Sequence, residues 1–113
     1  MKKYIAILRE PEGRREQHSD DEIKKHQLNW KSWLEKWRQA GKLIDGSGLT
    51  LNARIVYNAD LIENKIHQNT TEIIGGFLLI KAENIDDAAA MIKTCPVYEF
   101  NGYAEIRELQ NQD

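Results

Sequence analysis

His26, Asp45 and Glu72 are the side chains of this sequence best suited by type and setting to move a proton between them. A histidine in an apolar setting with a carboxylate beside it is suited to general acid–base work near neutral pH. His26 falls within an apolar helical stripe, Asp45 follows the helix–strand connection, and Glu72 opens an apolar strand. The expected roles are His26 as proton carrier, with Asp45 or Glu72 orienting it. Each residue also has a plainer reading. His26 can be a packed histidine with one backbone partner, Asp45 a turn-capping aspartate before Gly46, and Glu72 a solvated strand-end charge. Trp30, Trp33, Ser47 and Tyr57 are the candidates for ligand contact, with Trp30 as an apolar wall. The alternative for the tryptophans is ordinary core packing of an amphipathic helix.

Other chemistries find less support. His18, His26 and His67 have no metal-ligand spacing, so no metal is expected. There is no glycine loop for phosphate and no Ser/His/Asp signature, and no cofactor is expected. Cys95 precedes Pro96 at the end of a predicted helix, where the dipole does not favour a thiolate.

The chain has 113 residues, which predicts a single domain over 1–113. Apolar residues at 41% and charged residues at 30% fit a globular class rather than a disordered one. Sixteen basic residues against eighteen acidic ones give a net charge of −2, which argues against a nucleic-acid partner. One cysteine permits no intrachain disulfide and fits a reducing, cytoplasmic setting. The basic start, Met1-Lys2-Lys3, leads into an apolar run too short for a secretory signal. No stretch is long and apolar enough for a membrane helix.

The elements that must position these residues follow from periodicity. Tyr4–Leu8 is a continuous apolar run and predicts a central strand. Glu10–Gln17 is a charged loop broken by Pro11 and Gly13. Ser19-Asp20-Asp21-Glu22 is a capping box that opens a helix running to about Ala40. Its apolar stripe is Ile23, Trp30, Trp33, Leu34 and Trp37, with His26 inside it, and Gly41 is placed for a left-handed cap. Short strands are expected at Lys42–Leu49 and Ala53–Tyr57, with weak strand character over Leu61–Gln68. Glu72–Ile80 is the main strand: Phe77–Ile80 reads as buried on both faces, and Gly75-Gly76 suggests a bulge or a close backbone approach. Asn84 caps a second helix, which Pro96 ends. Gly102–Leu109 is the last strand, followed by a polar tail expected to fray.

Strand, helix, two or three strands, helix, strand is the order of an α+β, ferredoxin-like βαββαβ fold. Its sheet is mainly antiparallel and both helices cover one face. The other face would carry the remaining apolar side chains of Tyr4–Leu8 and Phe77–Ile80, an exposed patch that soluble monomers seldom tolerate. A homodimer, sheet against sheet, is therefore expected. Four or five such side chains contribute about 6–12 kcal/mol before association costs.

The segment from Trp30 to Leu43 resembles the first helix and second strand of YCII-related proteins, in the branch named for a DGPF signature. Gly46-Ser47-Gly48-Leu49, Glu72-Ile73-Ile74-Gly75-Gly76-Phe77, Asp86-Asp87-Ala88, Cys95-Pro96 and Gly102 with Glu105-Ile106-Arg107 extend the resemblance to residue 109. It implies a dimeric α/β barrel and membership in a superfamily of small enzymes that often work without a cofactor. The signature itself would fall at Asn64-Lys65-Ile66-His67, where no residue matches, although Glu72 is in place. The helix histidine suggested as an active-site residue in YCII is replaced here by Trp30. The expected function is small-molecule binding between the first helix and the sheet, with cofactor-independent acid–base catalysis in view. A non-catalytic dimeric regulatory or interaction module is the alternative.

Overall fold

The computed structural model describes residues 1–13 and 17–113. Residues 14–16, the centre of the expected charged loop, lie outside the described residues. That loop also starts later than expected, because the first strand, β1 (Lys2–Pro11), takes in Glu10 and Pro11. Helix α1 (Asp20–Gln39) begins at the capping box: Ser19 Oγ accepts from the Glu22 amide at 3.2 Å, and Glu22 Oε1 accepts from the Ser19 amide at 3.2 Å. It ends where Gly41 turns to a φ of +74°, a conformation glycine adopts without a Cβ penalty.

Strands β2 (Leu43–Gly48), β3 (Ile55–Asn58), β4 (Leu61–Glu63) and β5 (Glu72–Ala82) follow, then α2 (Ile85–Ile92) and β6 (Tyr103–Glu108). The main sheet runs β2–β5–β1–β6 with every neighbour antiparallel. This is the expected α+β, ferredoxin-like arrangement. β3 and β4 form a separate hairpin rather than extending the sheet, and the weak strand expected over Leu61–Gln68 shortens to Leu61–Glu63. Gly75 is the extra residue of a bulge, since Leu8 faces Gly76 while Arg9 faces Ile74.

The core lies on one side of the sheet. Tyr4, Ala6, Leu8, Leu78 and Ile80 join Trp33 of α1 and Ala88, Met91 and Ile92 of α2 in one buried cluster. Within a single chain the central strands are not covered on both faces, as their continuous apolar runs had suggested. They alternate: Leu78 and Ile80 are buried, while Phe77 and Leu79 are half-buried on the helix-free face. There Ile5 lies opposite Leu79, and Ile7 opposite Phe77. The apolar stripe of α1 is graded in the same way, with Trp33 buried and Trp30, Leu34 and Trp37 partly so.

Two features depart from sequence expectation. Pro96 ends α2, but it also opens a 3₁₀ turn, Pro96–Phe100, that closes at Asn101 with φ +63°. The polar tail is tied to β1, because Gln112 Oε1 accepts from the Lys3 amide at 2.7 Å and its side-chain N–H donates to the Lys3 carbonyl at 3.1 Å.

Candidate functional site

A cavity of about 390 Å³ lies between the first half of α1 and the sheet. Trp30 and Leu34 of α1, Leu8 and Leu78 of the sheet, and Phe100 of the 3₁₀ turn make most of its apolar wall. His26, Gln27 and Lys31 reach it from the helix, Glu10 from β1, and the Gly46-Ser47-Gly48 ribbon with Gly75 closes the strand side. Glu10 is only 6% exposed, so the cavity has a buried carboxylate in its wall. Lys31 has no ion-pair partner among the described residues.

His26 is held from three sides. Its Nδ1 lies 2.9 Å from Oε1 of Glu99. The indole N–H of Trp30, one turn along the helix, donates to its Nε2 at 3.1 Å. Phe100 stacks on the imidazole at 4.0 Å and 17°. An indole N–H can only donate and a carboxylate can only accept, so these partners assign the proton of a neutral His26 to Nδ1. Asn29 Nδ2 donates to the other Glu99 oxygen at 3.0 Å, which fixes the carboxylate in turn. His18 stacks on Phe100 at 3.8 Å and 8°, so the phenyl ring is held between two imidazoles. The arrangement is that of a base with a carboxylate behind it and an apolar chamber in front.

The candidates from sequence divide cleanly. His26, Trp30 and Ser47 reach the cavity. The Ser47 hydroxyl donates to the Gly48 carbonyl at 2.7 Å. Asp45 does not orient His26: its Oδ1 accepts from the Gly46 amide at 2.8 Å, and it lies opposite Leu79 on the helix-free face. Glu72 is also on that face, opposite Pro11, where its hydrogen bond raises the pKa of the Tyr103 hydroxyl. A strand sends alternate side chains to opposite faces, so neither carboxylate reaches the helix side. Trp33 is buried away from the cavity and its indole donates to Thr94 Oγ1 at 2.9 Å. Tyr57 is exposed on the β3–β4 hairpin, where a hydrogen bond to Glu63 raises its pKa.

Glu99, Asn29 and Phe100 are the members that the sequence did not reveal. The helical spacing of Asn29 after His26 was visible, but the Glu99 carboxylate that joins them comes from a turn with no clear signature beyond Pro96. His18, in the bend before α1, also belongs to the ring stack. Cys95, near this turn, is buried, and its thiol is pushed up to about 11 by desolvation. Among the described residues no group of three or more His, Cys, Asp or Glu is arranged to hold a metal ion. No helix of the described residues is long and apolar enough to cross a membrane.

The fold and the helix–sheet cavity define a small α+β domain of the ferredoxin-like kind. The profile of the YCII-related domain matches residues 4–111, and the chain belongs to that family. Among solved structures it is similar to 5-chloro-2-hydroxyhydroquinone dehydrochlorinase (TftG) from Burkholderia phenoliruptrix AC1100, in complex with 2,5-dihydroxybenzoquinone. That likeness has a TM-score of 0.55 at 16% identity and covers 97% of this chain and 94% of the other. No curated protein matches the chain.

Proposed function

We propose that this protein binds a small, planar, hydroxylated molecule in the α1–sheet cavity and transfers a proton to and from it through His26, without a cofactor. The observation that carries this reading is a histidine with a positioned carboxylate at the wall of a cavity of about 390 Å³, a volume within the usual range for small-ligand sites. In this reading Nε2 takes an acidic hydrogen from the ligand, and Glu99 stabilises the imidazolium that results. Lys31 faces the negative charge left on the ligand, and the proton returns from Nε2 to the product. The quinone bound by the structurally similar dehydrochlorinase suggests the ligand class. The Trp30 N–H now on Nε2 has to give way before the ligand can use that nitrogen.

The same Trp30 bond favours a second reading, in which His26 is a structural residue and the protein is a non-catalytic dimeric module. Thermal-shift titration with 2,5-dihydroxybenzoquinone separates the two. Wild-type protein is expected to be stabilised, and His26→Gln and Lys31→Met to lose most of the shift. No shift in the wild type, or an equal shift in all three proteins, would overturn the first reading for this ligand class.

We further propose that the chain pairs with a second copy through the helix-free face. Ile5, Ile7, Phe77 and Leu79 form a contiguous apolar patch there, with no helix over it. Sedimentation equilibrium checks this: Phe77→Asp is expected to turn a dimer into a monomer, and a wild type that is monomeric at high micromolar concentration refutes it.

A further inference from the structure

We infer that the β3–β4 hairpin is an arm that grips the second copy of this chain, extending the sheet-to-sheet contact on whose existence this inference rests. The hairpin packs against no other strand or helix among the described residues. An isolated two-stranded hairpin is at best marginally stable in water and needs a surface to lie on. Among the described strands and helices it has none. The radius of gyration is 15.4 Å, against about 13 Å for a compact chain of this length.

The arm is apolar where it is bare. Val56 and Ile62 face each other across the ladder, share one side of the hairpin, and are 64% and 60% exposed. Leu51, at its base, is 57% exposed, and Leu61, near its tip, 49%. Such a cluster on a projecting element marks a contact surface. Its charges do not select a basic or acidic partner. Arg54 and Lys65 balance Asp60 and Glu63, and Lys65 already pairs with Glu63 at 3.3 Å. That balance disfavours nucleic acid and anionic membranes as occupants, and it raises no self-repulsion between copies.

Area identifies the occupant. The four side chains of the helix-free face are already half-buried, so on their own they make a patch short of the roughly 800 Å² per partner of a stable interface. The exposed apolar residues of the arm supply a comparable further area. The chain runs on from the arm into β5, whose Ile74 is 40% exposed opposite Arg9, on the same face as the patch. A two-fold pairing of the sheets lets each arm reach past its own sheet onto the partner.

The test is sedimentation equilibrium of the full chain as wild type, as Val56→Asp/Ile62→Asp, and as Leu28→Asp, a control at a 64% exposed apolar position on α1. Circular dichroism checks that each variant is folded, which is expected because none of the three side chains is in the core. The arm variant should dimerise at least about tenfold more weakly than wild type, with Leu28→Asp unchanged. A wild-type dimer whose arm variant stays within about threefold would overturn the arm and leave the sheet pairing standing. Equal weakening by Leu28→Asp would also overturn it, as a charge effect without a site. A monomeric wild type would remove both proposals.

Discussion

Nδ1 of His26 lies 2.9 Å from Oε1 of Glu99, a residue 73 positions further along the chain. Through this bond the 3₁₀ turn after α2 sets the orientation of a histidine on α1. With Trp30 donating to Nε2, both ring nitrogens have assigned roles. In ¹⁵N spectra of the imidazole, neutral His26 is expected as a single Nδ1–H tautomer. Glu99→Ala combined with Trp30→Phe should mix the tautomers, and Glu99→Ala alone should cost about 1 kcal/mol in denaturant unfolding, the usual size of a lost hydrogen bond. A single Nδ1–H tautomer that survives the double substitution would show that these two partners are not what fixes the ring.

Trp30→Phe keeps an aromatic wall but removes the N–H that occupies Nε2. If a ligand must displace that donor, the variant no longer loses about 1 kcal/mol on binding, and its affinity for 2,5-dihydroxybenzoquinone should rise about fivefold by calorimetry. Weaker binding would mean that the indole is itself a ligand contact.

Gly102 sits where the chain leaves the 3₁₀ turn for β6. A Cβ there would come within 2.7 Å of Val97 Cγ2, 2.8 Å of the Val97 carbonyl oxygen and 2.9 Å of that of Arg9. Two of these atoms belong to the backbone and cannot rotate away. Gly102→Ala is expected to destabilise the fold by about 2–3 kcal/mol in chemical denaturation, the range for forced overpacking. It should also disturb Phe100 and Glu99, and so loosen His26.

Cys95 carries a pH signature. Burial pushes its thiol from the ordinary 9.0 up to about 11. The folded chain keeps this proton where the unfolded chain has begun to lose it. The stability contributed by the neutral buried thiol is complete below about pH 9 and falls as pH rises toward 11. Cys95→Ala should flatten that part of the stability–pH curve, measured by urea unfolding. Thiol-reactive reagents should modify the native protein only slowly at neutral pH.

Local rules made much of the fold legible. The capping box from Ser19 to Glu22, the cap at Gly41, the Asn84 cap and the Gly75 bulge are each set by a few neighbouring residues, and each stands where its residue types require. The continuous apolar runs located the two central strands but said too much about their covering, because one chain covers only the face that holds Leu78 and Ile80. Apolar length alone does not say whether a second face is hidden by the same chain or by another.

The site was half legible for the same reason. Helical period put His26 and Trp30 on one line of α1, and the sequence alone determined that pairing. Which carboxylate serves His26 was decided only in three dimensions. Asp45 and Glu72 were plausible by position, yet strand alternation sends both to the helix-free side, while Glu99 arrives on a short turn whose path depends on α2, Pro96 and the close passage at Gly102. A hydrogen bond between residues so far apart in the chain has no local pattern to reveal it. It exists because packing the helices on the sheet brings those two turns of chain to the same place.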